Sequence, residues 1–258
     1  MDRTASAIRL QTQHRFNTFG LPFVIIAMAF VVVLLIGVVA NVGAGGDPEA
    51  LDGMYEGMRW NGAIFSLLGP LMGLGFTAML QMFPLALGLG ITRREFGTAS
   101  VAVFGGMSLL FATVVTVLRE IEIATSGWWM RIRVFDVAYV GGGDWWQTLL
   151  HTFVLLLMAM LLSAAFSTVY LRGGQTMLWL VLAGITLLSV LAAGIGMVVV
   201  PGGFLAIAET VFAASWIAWV VGFAVVAAPW LAWVAGFAIV GAVAALAWGL
   251  LIRRAPVR

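Results

Sequence analysis

Apolar residues run along this chain in long blocks, separated by short polar breaks. Residues 1–19 are polar and carry Arg3, Arg9 and Arg15, while Ile8, Phe16 and Phe19 recur near helical spacing. The pattern predicts an amphipathic helix on a membrane surface, with a plain polar tail as the alternative. Residues 20–42 are an unbroken apolar run, long enough to cross a bilayer and too long for the core of a signal peptide. A Gly-rich acidic loop at 43–59 leads into a second run, 60–90, which exceeds the ~20 residues a bilayer needs. Pro70 and Pro84 predict kinks there, and Gly69, Gly73 and Gly75 predict a small-residue face for close helix packing. Arg93-Arg94-Glu95 interrupts the run, and a third span is expected at 98–118. The fourth and fifth, 149–171 and 177–200, are separated by the turn Arg172-Gly173-Gly174-Gln175.

Between the third and fourth spans lies the longest polar segment, 119–147, expected as an extracellular loop. Its first half alternates strictly, Glu120-Ile121-Glu122-Ile123 and then Arg131-Ile132-Arg133-Val134. Such alternation predicts strands, and Ser126-Gly127 supplies the positive φ of a tight turn between them. In that register Glu122 faces Arg131 and Glu120 faces Arg133, each pair contributing roughly 0.2–1 kcal/mol. The other arrangement is a third span that continues as helix through Glu120 and Glu122. Trp128, Trp129, Trp145 and Trp146 flank the segment and suit a membrane interface. Beyond Pro201-Gly202-Gly203, residues 204–228 are apolar except for Glu209, Pro229 breaks the chain, and 230–252 is a clean span ending in Arg253-Arg254.

Charge arbitrates between topologies. With the N-terminus inside and six spans, the inner side carries nine Arg against Asp2 and Glu95, a net +7, and the outer side four Arg against nine acids, a net −5. Basic residues near span ends stay cytoplasmic, which fits this arrangement. A seventh crossing would put the last Arg cluster outside. Residues 201–229 are therefore expected as an extracellular re-entrant or interfacial helical pair. Glu209 is then either a functional ionisable group within apolar sequence or the anchor of a short interfacial helix. The expected fold class is an all-α integral membrane protein of one domain, 1–258. It has six transmembrane helices, an N-terminal interfacial helix at 1–19 and the re-entrant pair before the last span, with both termini cytoplasmic.

Composition sets limits on the chemistry. The chain is 63% hydrophobic and 9% charged, against about 25% charged for a soluble domain, so lipid must be its solvent. All thirteen basic residues are Arg. Without Lys there is no P-loop to hydrolyse ATP and no retinal-type Schiff base. Without Cys there is no disulfide or thiolate chemistry. His14 and His151 lie far apart, which argues against a His-rich metal site; His151, near the outer end of the fourth span, reads as a packed or interfacial side chain rather than a proton relay. No paired-carboxylate, Ser/His or His/Glu constellation marks a catalytic residue, and the charge balance points to membrane sidedness rather than to nucleic acid. The Arg-only, Ala/Gly/Val-rich composition hints at a GC-rich bacterial genome.

The segment 83–97, FPLALGLGITRREFG, places a very short charged break between two apolar runs, on the side assigned to the cytoplasm. With ALGLGITRREF at its centre, together with six spans and an apolar double-back before the last, the chain resembles the permease subunit of a type-2 ABC exporter of the bacterial plasma membrane. The resemblance implies that 88–97 is a cytoplasmic coupling loop, with Thr92, Arg93, Arg94, Glu95 and Phe96 meeting a separate ATPase subunit that holds the ATP and Mg. Phe96 would act as an aromatic plug flanked by the arginines, which serve as topological signals in any case. It implies further that the permease is not an enzyme, binds no cofactor itself and pairs with a second copy or a similar permease. Substrate would then pass along faces that include Phe65, Met72, Met79, Phe83 and Glu209, although Met/Phe faces also serve plain helix packing. An ion-coupled carrier or channel is the alternative function, for which the spans offer only Gln81, some Ser/Thr, and Glu209.

Overall fold

The computed structural model describes residues 3–138 and 143–199, together with positions 243, 246, 248 and 250. The segment 201–229, with Glu209, and most of the expected sixth span lie outside the described residues. Among the described residues every regular element is a helix. Helix α1 (Arg3–Gln11) is followed by a π-turn (Phe16–Gly20) and α2 (Leu21–Gly43). Helix α3 (Pro48–Gly57) and two 3₁₀ turns (Met58–Trp60 and Ala63–Leu67) lead to α4 (Leu68–Thr77), a second π-turn (Ala78–Met82) and α5 (Phe83–Gly88). Then come α6 (Arg93–Ala124), an irregular π-type turn (Gly127–Arg131) and α7 (Trp145–Val199). Among the described residues four helical runs are long and apolar enough to cross a membrane: Phe16–Gly43, Pro48–Gly88, Arg93–Ala124 and Trp145–Leu187. The expected fourth and fifth spans fall within α7, which breaks at Gly174 (φ 69°, ψ −166°), inside the turn read from the sequence.

The π-turns at Phe16–Gly20 and Ala78–Met82 have the same cause. Each ends two residues before a proline, Pro22 or Pro84. Proline donates no hydrogen bond, and its ring crowds the carbonyl four residues back. Widening one turn to i→i+5 bonding makes room for it. Accordingly Leu21 N donates to Phe16 O and Phe83 N donates to Ala78 O. Pro70 falls in the first turn of α4, where a missing N–H costs nothing.

The core lies where α4, α6 and α7 meet, with Leu71, Met79, Phe104, Phe111, Leu156 and Met160 essentially inaccessible. At Gly75 an added Cβ would come within 2.8 Å of Met160 O and press on Ser163, so α4 crosses α7 closely there. Around Gly69 and Gly73 there is open space, which narrows the expected small-residue face to one glycine. The N-terminal helix is shorter than expected. It ends at Gln11 and buries Ala7 and Gln11, whereas Phe16 (67% exposed) and Phe19 (36%) belong to the π-turn that opens the first apolar run. The acidic stretch between the first two runs is also not all loop: Asp47 caps α3 by accepting from Glu49 N at 3.1 Å, with Pro48 in the first turn.

The extracellular hairpin expected in 119–147 does not form. Helix α6 continues through Glu120 and Glu122 to Ala124, and the chain then reverses through residues with positive φ, including Ser126 (53°) and Gly127 (78°). The turn sits where the sequence places it, but it follows a helix. The reason is the fate of Glu122, a buried side chain whose carboxylate accepts from the backbone N–H of Val134, Phe135 and Asp136 (each 3.0 Å) and from the Trp128 indole (2.9 Å). No strand ladder could satisfy a buried carboxylate so fully. The remaining charges pair elsewhere: Arg119 with Glu120 (3.1 Å) and Asp136 (3.2 Å), Arg131 with Asp52 (2.6 Å), and Arg133 with Glu56 (3.6 Å) and Asp136 (3.7 Å).

Two substitutions test this packing. Gly75→Ala should destabilise the purified protein by about 1–3 kcal/mol through overpacking, whereas Gly73→Ala should be neutral or slightly stabilising because open space and helical backbone favour it. Thermal unfolding in detergent reads both, and equal effects would contradict the close crossing at Gly75.

Candidate functional site

The short connection between α5 and α6 is two helix caps placed back to back. Gly90 has φ +78°, and its N–H bonds to Leu87 O (3.0 Å) while Ile91 N bonds to Ala86 O (3.0 Å). These are the two bonds of a Schellman motif, which needs a left-handed residue where glycine stands. The apolar residue that follows such a glycine is Ile91, buried against the end of α5. Thr92 then caps α6. Its hydroxyl accepts from Glu95 N (3.2 Å), and the Glu95 carboxylate accepts from Thr92 N (2.8 Å) and from the Thr92 hydroxyl (2.7 Å). This is a capping box. Glu95 stands ahead of the apolar stretch of α6, and the bonds from Thr92 N–H and the Thr92 hydroxyl, aided by Arg3, hold its carboxyl below the usual carboxylate range.

Phe96 follows at the fourth helical position and is fully buried, its ring 5.3 Å from that of Phe83. With Ile91 before the cap it occupies the positions of a hydrophobic staple. Phe96 is thus part of the core and does not stand out as an aromatic plug. The two caps and the buried Ile91 and Phe96 leave Arg93 and Arg94 outside the capping arrangement. Arg93 and Arg94 occupy the first two positions of α6, Arg94 exposed and Arg93 half-buried. A cation there opposes the helix dipole, at a cost of about 0.3–1 kcal/mol each. Helix stability does not explain them.

Helix α1 braces this connection. Arg3 reaches Gly90 O at 3.5 Å, and Gln11 Nε2 donates to Ser100 Oγ at 2.9 Å, about two turns inside α6. Arg3, Arg9, Arg93 and Arg94 therefore gather at one end of the helices. The opposite end collects Asp52, Glu56, Glu120, Glu122 and Asp136 with Arg119, Arg131 and Arg133, and Arg133 lies 3.9 Å over the Tyr55 ring. Exposed Trp60, Trp129, Trp145 and Trp146 belong to the elements of that second end, as expected for an interface.

The residues expected to line a pathway are dispersed in environment. Phe65 and Met72 are half-buried, while Met79 and Phe83 are core residues, Met79 taking the Trp248 indole N–H at 3.2 Å. Glu209 lies outside the described residues. His151 is fully buried within α7, a packed position. Among the described residues no cluster of His, Asp and Glu could hold a metal ion. Two features escaped the sequence reading. One is the Glu122 anchor, hidden because its partners are backbone groups. The other is a cavity of about 250 Å³ beneath α1, between Gln11, Asn17 and Thr18 on one wall and Thr77, Gln81 and Phe104 on the other. Comparison with protein-family models, curated proteins and solved structures finds no match for this chain.

The anchor makes a direct prediction. Glu122→Ala strands three backbone N–H groups, two of them buried, and should cost about 3 kcal/mol or more. Glu122→Gln, which keeps an acceptor, should cost less. Thermal unfolding distinguishes them, and an Ala variant as stable as the parent would show that the loop is held otherwise.

Proposed function

We propose that the chain is the permease subunit of an ATP-driven exporter, coupled through the α5–α6 connection to a separate ATPase subunit. The observation that carries the reading is the pair Arg93 and Arg94 in the first turn of α6, where a cation opposes the helix dipole. A cation kept at such a helix end serves a contact or a sidedness requirement, and Arg94, which is exposed, is well suited to an acidic groove on a partner. The contact surface is Thr92, Arg93 and Arg94 with the flank of α1, while Glu95 and Phe96 fix the geometry of that surface from behind. A rigid double cap suits such a role, because force applied at the connection reaches α5 and α6 together. The absence of Lys, and so of a P-loop, agrees with an energy source on another chain.

In this reading the Arg-rich end faces the cytoplasm and the acidic end the exterior, as the inside preference of basic residues requires. Six spans complete the domain, with a re-entrant pair at 201–229, both termini cytoplasmic, and a second copy or a similar permease forming the other half of the pathway.

Charge reversal separates coupling from folding. Arg94→Glu should leave the unfolding temperature unchanged or raise it slightly, since an acidic group suits a helix N-terminus. ATPase activity co-purifying with the tagged permease from its native host should fall at least tenfold. Retained ATPase activity with intact permease would refute the coupling role. The span count is tested at the other end of the chain. A cysteine at Arg254, in a chain that has none of its own, should be protected from a membrane-impermeant maleimide in sealed cells; labelling from outside would mean an odd number of crossings.

A further inference from the structure

We propose that the open groove between α1 and the end of α5 binds the headgroup of an anionic phospholipid, its phosphate held between Arg3 and Arg9. The inference does not depend on ATPase coupling, since Thr92, Arg93 and Arg94 are not part of the groove. The groove has a volume of about 480 Å³. Its walls are Arg3, Ser6, Arg9 and Leu10 of α1, and Leu89 and Gly90 of the connection that follows α5. Arg3, Ser6 and Arg9 stand three residues apart, so they form one row along the helix surface. The same helix buries Ala7 and Gln11 on its inner side, which fixes the row outward, and all three of its members are exposed.

The charge of the two arginines is not answered within the groove. The lining holds no carboxylate, and from Arg3 to Gly46 the chain contains no acid. Glu95, whose carboxyl feels the charge of Arg3, is already held by Thr92. Among the described residues Arg9 forms no ion pair, whereas Arg59, Arg119, Arg131 and Arg133 at the other end are each paired with acids. Guanidinium groups match phosphate oxygens in a two-pronged geometry, and Arg3 keeps further N–H groups beyond the one donated to Gly90 O. The apolar part of the lining points to a lipid rather than a soluble phosphate. Leu89 is 66% exposed, and only residues 12–15 separate α1 from the first apolar run, where Phe16, Leu21 and Phe23 are exposed. The groove therefore lies beside the lipid-facing surface, at the depth where headgroups sit, and basic pockets there take anionic heads. A zwitterionic head would bring its ammonium beside two guanidinium groups, with no carboxylate or aromatic ring in the lining to receive it.

The test is native mass spectrometry of the full chain in detergent, titrated with phosphatidylglycerol or with phosphatidylcholine of the same acyl chains. The first phosphatidylglycerol should bind about tenfold more tightly than phosphatidylcholine. Arg3→Gln and Arg9→Gln should each remove most of that preference. Arg3 also bonds to Gly90 O, so the exposed Arg9 covers the case in which the Arg3 variant does not fold. Arg15→Gln removes the same charge from a position outside the groove and should keep the preference. Millimolar inorganic phosphate should leave the lipid in place. Equal affinity for the two lipids or a preference that survives in Arg9→Gln would overturn the proposal. So would an equal loss in Arg15→Gln, which means diffuse attraction to positive charge, or displacement by inorganic phosphate, which means a site for a soluble anion.

Discussion

A backbone placed in hydrocarbon has no water to bond with, so each of its polar groups must find a partner within the protein. Most of this structure follows from that constraint. It makes every described regular element a helix. It explains why Pro22 and Pro84, each lacking a donor, sit just beyond π-turns rather than in broken segments. It explains the double cap between α5 and α6, where Gly90, Thr92 and Glu95 occupy the loose backbone groups of two helix ends within a few residues. At the opposite end it explains why a single carboxylate, Glu122, gathers the N–H groups of three consecutive loop residues.

Once the backbone is satisfied locally, side chains become free to report function. Arg93 and Arg94 stand out for this reason: the cap works without them, and the helix dipole works against them. The same reasoning isolates Arg3 and Arg9, which stand in a groove without a carboxylate. These two pairs of arginines lie at the same end of the molecule, one at the start of α6 and one along α1. Natural sequences tend to break local rules where a site requires it.

Much of the architecture was legible in the pattern of apolar runs. Their lengths marked the helices, and the charge breaks at Arg93-Arg94 and Gly173-Gly174 marked where helices end or break. The all-helical class followed from the same runs. The hairpin expectation failed because strict alternation of Glu, Ile and Arg describes charge spacing equally well on a helix that overruns the membrane, and nothing in sequence says that Glu122 will bond to backbone rather than to Arg131. The capping role of Gly-Ile-Thr-Arg-Arg-Glu-Phe was readable in principle, from Gly followed two residues later by Thr-x-x-Glu. What no pattern could show is burial: that Phe96, Met79 and Phe83 point into the core, or that Gln11 meets Ser100 across 89 positions.

The central claim is that one end of the helices, rich in arginine, faces the cytoplasm and the acidic end faces out. Single cysteines at Asp52, near the start of the second helical run, and at Arg94, at the start of the third, test it in sealed cells with a membrane-impermeant maleimide. The account predicts that the cysteine at Asp52 is labelled from outside and that the one at Arg94 reacts only after the membrane is permeabilised. Labelling of Arg94→Cys in sealed cells, or of both positions from the same side, would contradict it.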